Sequence, residues 1–158
     1  MSERPLLLWR LVKQARADSA FDGEGAFRFG GRWNSRGRRM VYCSGTLSLA
    51  VLEVLVHLDP AAGLPELCAL SIEIPREHLA YASSATGGRQ TLDFPHTLGE
   101  TRAEGDRWLE AGQRAAMAVP SAIVPNEHNY LLNPRHPAFA GFAIGESLPF
   151  TLDRRFFA

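Results

Sequence analysis

The sequence predicts an α+β domain. Several short apolar runs of strand length recur along 158 residues, and one longer apolar stretch has helical length. Proline, glycine and asparagine separate these segments, and no repeat or low-complexity stretch divides the chain. Strands of mixed spacing with a few helices between them describe a mixed α+β core rather than alternating parallel units. A chain of this length suits a single domain, 1–158, with a real core.

The elements follow in order. Leu6 to Val12 is an apolar run broken only by Arg10, and after Pro5 it reads as a buried first strand. Residues 13 to 31 form a glycine- and aspartate-rich loop with at most a short helical turn. Met40 to Ser44 reads as a second strand. Thr46 can cap a helix running to about Leu58, apolar on nearly every face and therefore buried on most sides. Its polar breaks are Ser48, Glu53 and His57, and Asp59-Pro60 ends it. Glu66 to Ile74 is a third strand closed by Pro75, and Pro75 to Ala80 reads as a turn or short helix. Residues 82 to 90 form a polar loop. Thr101 to Met117 is amphipathic and partly helical, with Gly105-Asp106 as its start. Val119 to Pro125 is a strand with prolines at its ends. His128 to Pro134 combines a strand with a turn, and Phe150 to Phe157 closes the chain with a mixed apolar and basic run.

The composition excludes several classes. The apolar fraction is 46% and the charged fraction 22%, as in an ordinary globular protein. Lys+Arg and Asp+Glu both number 17, so the basic excess of a general nucleic-acid binder is absent and no direct nucleic-acid contact is expected. A local basic pocket remains compatible with that balance. Cys43 and Cys68 both sit in apolar, strand-like contexts, which suits reduced, buried thiols rather than a disulfide framework. No signal peptide or membrane-length apolar run is present, so a cytoplasmic location and no membrane association are expected.

The chemistry concentrates around Phe27-Arg28-Phe29-Gly30-Gly31-Arg32-Trp33-Asn34. A glycine pair lets backbone pass close to a partner. Arg32 offers a planar fork suited to phosphate or carboxylate; the alternative is a turn arginine stacked on Trp33. Arg10 carries a charge within an apolar strand, which is costly unless paired. It is either half of a structural ion pair or a phosphate or ribose clamp. Tyr42 is either a core-edge tyrosine or a ring that meets a flat ligand. Glu53 lies within Leu-Ala-Val-Leu-Glu-Val-Leu-Val and needs a partner, either in a buried pair with Arg10 or Arg32 or at an active site. His57 lies one helical turn beyond Glu53 on the same face. Ser121, in Val-Pro-Ser-Ala-Ile-Val-Pro, is either a site hydroxyl or a satisfied strand serine. Asn129 and Asn133 read as turn residues. An arginine, a tyrosine and a glutamate together suggest a phosphorylated, ring-bearing ligand. His78, His96, His128 and His136 lack ligand spacing, so no metal site is expected. No nucleophile elbow, Walker loop or dinucleotide glycine fingerprint is present.

Taken in order, these segments resemble the RES domain, the toxin half of bacterial Xre–RES toxin–antitoxin pairs. The resemblance rests on Trp9-Arg10, on Gly-Ala-Phe-Arg-Phe-Gly-Gly-Arg-Trp-Asn at 25 to 34, and on Val41-Tyr42-Cys43-Ser44. It continues through Leu49-Ala50-Val51-Leu52-Glu53, Gly105-Asp106-Arg107-Trp108, Val119 to Pro125 and Asn129 to Pro134.

The resemblance implies an ADP-ribosyltransferase-like fold, with a split, mostly antiparallel β core and flanking helices around an NAD cleft. It implies Arg10 and Arg32 on the phosphates and nicotinamide-side ribose, Tyr42 near the nicotinamide and Glu53 as the catalytic carboxylate. Ser121 is then the serine of the family name, and Ser44, Ser48 and His57 are further binding candidates by position. The implied activity is NAD degradation by a toxin, with water or phosphate as acceptor and no metal. The rival within the same chemistry is a protein ADP-ribosyltransferase toxin. The rival outside it is a catalytically silent nucleotide- or partner-binding module. An Xre-like antitoxin on a separate chain is the expected partner, with an oligomer possible in its company.

Overall fold

A computed structural model describes residues 3–85 and 92–157; part of the expected 82-to-90 loop lies outside them. Strand β1 (Leu6–Lys13) is followed by a 3-10 turn and a short helix α1 (Glu24–Phe29). Then come β2 (Val41–Ser44), α2 (Leu47–Leu55), β3 (Leu67–Ile74), β4 (Leu79–Tyr81) and α3 (Leu98–Ala111). The chain closes with β5 (Ala116–Pro120), β6 (His128–Leu132), β7 (Ala143–Ile144) and β8 (Leu148–Phe150).

The strands form one sheet in the order β4-β5-β6-β2-β1-β3-β7, with β8 also on β3. All pairings are antiparallel except the parallel β4–β5 pair. β1 pairs with β3 along its whole length, from Leu6↔Ile74 to Lys13↔Leu67. β2 pairs with β6 from Val41↔Leu132 to Ser44↔Asn129. Between these two halves the ladder holds at one register point, Trp9↔Ser44. The core is therefore the split, mostly antiparallel sheet with flanking helices that the resemblance implies, within the α+β class that the sequence predicts.

Strand alternation gives each face its own core. On one face Leu8, Val41, Cys43, Ile72, Ala116, Ala118 and Leu132 pack together under Phe142. On the other, Trp33, Met40, Met117, Val119 and Leu131 lie under α3 through Trp108 and Leu109. On that same face Leu11, Leu67 and Ala69 lie under α2 through Ala50, Val51 and Val54.

Several boundaries differ from the sequence reading. α2 stops at Leu55 rather than near Leu58, so His57 falls in the turn beyond it. α3 begins at Leu98, because Thr97 and Glu100 form a reciprocal capping box. It ends at Ala111, where Gly112 takes φ +59. The strand expected at Val119 to Pro125 is β5, Ala116–Pro120, and Ser121 opens the loop that follows. β4 begins inside the segment read as a turn or short helix, Pro75 to Ala80, and runs one residue past it: a 3-10 turn at Arg76–His78 leads directly into the strand.

Candidate active site

Tyr42 and Ser44 alternate with Val41 and Cys43 along β2, so both face the side covered by α2 and α3. Register sets Ser44 beside Asn129 of β6 and beside Trp9 across the split. The Asn129 amide donates to Glu53 Oε1 at 2.6 Å, and its oxygen accepts from the Ser44 hydroxyl at 2.8 Å. The Ser121 hydroxyl donates to the same Glu53 Oε1 at 2.9 Å. Ser121 Oγ in turn accepts the backbone N–H groups of Ile123 and Val124, each at 3.1 Å. That hydroxyl is fully engaged and acts as a buttress for the carboxylate.

Glu53 therefore forms neither of the ion pairs that the sequence left open. Among the described residues no cation reaches its carboxylate, and both of its bonds come from neutral donors on one oxygen. Oε2 has no hydrogen-bond partner among those residues. The half-buried carboxylate thus keeps one fixed, bonded oxygen and one open oxygen.

The second half of the site is the loop at 30–38, and α3 holds it. Gly31 and Asn34 form an isolated antiparallel bridge. The Tyr42 hydroxyl donates to Asn34 Oδ1 at 2.6 Å and accepts the Trp33 N–H at 3.0 Å. A Cβ at Gly31 would strike that hydroxyl. From α3, the Thr101 hydroxyl donates to the Arg32 carbonyl, and Arg102 Nε to the Gly31 carbonyl at 2.8 Å. Asp106 accepts the Ser35 N–H at 3.0 Å and its hydroxyl at 2.6 Å. Gly105 lies directly against the Trp33 carbonyl, where no side chain fits.

Trp33 is 2% exposed and anchors the loop in the core, so it is not the platform for Arg32. The Arg32 guanidinium instead stands over the Phe94 ring, 5.3 Å from its centroid. Neither Arg32 nor Arg102 meets a carboxylate within ion-pair distance among the described residues. Burial pushes the Tyr42 phenol well above its ordinary value; the Trp33 N–H and the charges of Arg102 and Arg32 oppose that rise. Tyr42 therefore works as a protonated phenol that ties the loop to β2.

Arg10 lies elsewhere. It alternates with Trp9, so it shares the face of Leu8 and Cys43 and not that of Tyr42. Its Nε donates to the Ala20 carbonyl at 2.7 Å and its Nη1 to the Tyr42 carbonyl at 2.9 Å. Burial pushes its guanidinium below the usual value, opposed by Cys43 and Asp22. Arg10 bridges the split between β1 and β2, bonding a carbonyl where the ladder is reduced to a single register point. Ser48 and His57 are exposed, with no side-chain hydrogen bond among the described residues. The structure thus brings together Glu53, Ser44 and Ser121, and along the same face of β2 it sets Tyr42, with Arg32 held by the adjoining loop. It leaves Arg10, Ser48 and His57 outside that group.

Asn129 and Arg102 were not legible as site residues. Strand alternation could have set Asn129 on the face of Leu131, the side of β6 that continues the Tyr42 and Ser44 face of β2. The Thr-x-x-Glu signature at Thr97 could have begun α3 early enough to include Thr101 and Arg102. Among the described residues no group of His, Cys, Asp or Glu could hold a metal ion. No helix there is long and apolar enough to cross a membrane.

Comparison with known proteins gives concordant findings. The RES domain family model matches residues 7–153. A toxin Res of Photorhabdus laumondii is 39% identical over 130 residues, covering 82% of each chain. A toxin Res of Pseudomonas putida is 36% identical, covering 96% of this chain and all of its own. A Prs ADP-ribosylating toxin of a Sphingobium species is 40% identical over 138 residues, covering 84% of this chain and 85% of its own. Among solved structures, the M. tuberculosis MbcT–MbcA toxin–antitoxin complex contains a chain of similar fold. Its TM-score is 0.68 at 17% identity, covering 95% of this chain and 86% of that one.

Proposed function

This chain belongs to the RES domain family, with an ADP-ribosyltransferase-like fold, and on that premise we propose that it is a toxin that consumes NAD. The reaction is cleavage of the nicotinamide–ribose bond with water or phosphate as acceptor. The observation that carries this reading is the state of Glu53: a carboxylate fixed on one oxygen by Ser121 and Asn129 and, among the described residues, open on the other and met by no cation.

The polar face of β2 fits the substrate's charge pattern. Tyr42 and Ser44 lie two residues apart, roughly 7 Å along the strand. At the Tyr42 end stand the guanidinium groups of Arg32 and Arg102, which meet no carboxylate among the described residues and are suited to a diphosphate. At the Ser44 end stands Glu53, suited to the ribose whose C1′ gains positive charge. As the glycosidic bond breaks, its electron pair goes to the pyridinium nitrogen and nicotinamide leaves neutral, so no strong general acid is required. The carboxylate stabilises the oxocarbenium-like centre, an effect usually worth a factor of about 10² to 10³. Water as acceptor bonds to C1′ and releases a proton to solvent, whereas phosphate bonds through an oxygen that carries none. In this reading Arg10 serves by holding the split sheet, and Tyr42 by fixing the arginine loop.

A second reading keeps the site and changes the acceptor to a protein side chain. The Sphingobium relative favours it, since its name states ADP-ribosylation of Prs. The partner proposed for either reading is a separate Xre-like antitoxin; the fold neighbour from a toxin–antitoxin complex supports it. Induced expression in a bacterial host tests the function. Cellular NAD falls and growth stops with the wild type, while Glu53→Gln spares both. Growth arrest that persists with Glu53→Gln overturns the enzymatic reading in favour of a silent binding module.

A further inference from the structure

We infer that Asn129 is a positioning residue for Glu53, and that Ser44 braces the far end of the Asn129 amide against it. The inference rests on the proposed role of Glu53. It deepens that role by naming the device that makes the carboxylate single in orientation.

A side-chain amide has a donating and an accepting end, and only the donating end can bond a carboxylate. Asn129 could present either by a half turn of its last torsion. The carboxylate, which only accepts, takes the nitrogen end, and Glu53 Oε1 receives it at 2.6 Å. Ser44, 4% exposed, holds the other end: its hydroxyl donates to Asn129 Oδ1 at 2.8 Å, so the amide is bonded at both ends. The backbone supports this order, since Ser44 and Asn129 are register partners on β2 and β6. Ser121 supplies a second donor to the same oxygen from a buried position, 0% exposed. With Oε1 engaged twice, the carboxylate cannot rotate to offer that oxygen, and Oε2 alone is presented. The arrangement resembles the outer contacts that orient catalytic groups elsewhere.

Among the described residues, Glu53 of α2 is the only titratable group bonded to Asn129. His128, its chain neighbour, alternates to the other face, where its ring meets Tyr130 edge-on at 6.3 Å. Asn129→Asp would set two carboxylates together at high pH and disrupt the contact. At low pH a protonated Asp would donate an O–H to Glu53 and restore it.

The test measures NAD turnover by the purified full chain across pH 5.5 to 9. Asn129→Ala lowers kcat by about ten- to hundredfold, the loss of one hydrogen bond to a charged group, with KM for NAD changed less than about twofold. Ser44→Ala, a milder change in case Asn129→Ala fails to fold, lowers kcat in the same direction by a smaller factor. Asn129→Asp is depressed at pH 8 and recovers at least in part toward pH 5.5, which a merely structural role would not produce. Wild-type-like kcat in Asn129→Asp at pH 8, beside a Glu53→Gln variant that has lost turnover, overturns the inference and leaves the proposed function intact. If the wild type itself turns over no NAD, the proposed function fails, and side-chain amide NMR decides the inference. Asn129 amide resonances that shift with both Glu53→Gln and Ser44→Ala support it; resonances unmoved by either overturn it.

Discussion

Gly105→Ala reports on the joint between α3 and the arginine loop. In an open helix interior the change to alanine stabilises by about 1 kcal/mol. Here the new Cβ would overlap the Trp33 carbonyl, and Trp33 is pinned because its own N–H donates to the Tyr42 hydroxyl. Helix and loop must separate. Separation loosens the bonds from Thr101 to the Arg32 carbonyl, from Arg102 to the Gly31 carbonyl, and from Ser35 to Asp106. At about 1 kcal/mol net per bond, three or four lost bonds outweigh the helix gain and leave a net loss of about 2–3 kcal/mol. For a chain of this size each kcal/mol moves Tm by about 2–4 °C, so a fall of about 5–10 °C is expected. KM for NAD rises as well, because Arg32 and Arg102 lose their fixed positions. Gly99→Ala is the internal control: in the same helix its Cβ would meet only Thr97 Oγ1, at 4.0 Å, and Tm holds or rises. Thermal unfolding of both variants, with NAD kinetics, makes the measurement. A Gly105→Ala protein as stable as Gly99→Ala refutes the reasoning.

Four further outcomes are expected. Arg32→Ala raises KM for NAD by about tenfold or more, the loss of a charge-assisted contact, read by initial-rate kinetics. Arg10→Met leaves the Ala20 and Tyr42 carbonyls unpaired and costs about 1–3 kcal/mol by urea unfolding, while KM for NAD shifts less than about twofold; a KM effect equal to that of Arg32→Ala would return Arg10 to the substrate site. Tyr42→Phe strips the Trp33 N–H and Asn34 Oδ1 of their partner, costs about 1–3 kcal/mol in the same assay, and lets the arginine loop move. Burial pushes the Cys43 thiol up to about 12, so the folded chain holds its proton where the unfolded chain has lost it. That contribution to stability is complete below about pH 9 and is lost as pH climbs through about 12. Alkaline unfolding followed by circular dichroism is expected to start later in Cys43→Ala, and thiol reagents leave native Cys43 unmodified.

Much of the site was legible because its residues break a local pattern. Glu53 interrupts an apolar helix, Arg32 follows a glycine pair, and Ser121 interrupts an apolar run; each breach of local consistency marks a place where tertiary contacts decide. Asn129 breaks nothing: asparagine before a turn is ordinary, and only the pairing of β2 with β6 gives it Ser44 and Glu53. Arg102 is equally ordinary on an amphipathic helix, and its meaning comes from the Gly31 carbonyl opposite. Arg10 was singled out correctly as a buried charge, but its face was set by alternation with Trp9, and its partners are carbonyls across a gap in the sheet. The element errors have similar causes. The alanine-rich stretch after Ala111 favours helix, yet Gly112 in the left-handed region stops it and frees Ala116–Pro120 for the sheet. β4 has three residues and exists only because β5 lies beside it.

Glu53 acting on NAD is the central claim. The most direct measurement incubates the purified chain with NAD, with and without inorganic phosphate, beside Glu53→Gln, and identifies products by mass. Wild-type loss of NAD that falls by about a hundredfold or more in Glu53→Gln is the predicted result; ADP-ribose names water as acceptor and its phosphorylated form names phosphate. Equal NAD loss by wild type and Glu53→Gln, or none by either even when bacterial lysate supplies protein acceptors, contradicts it.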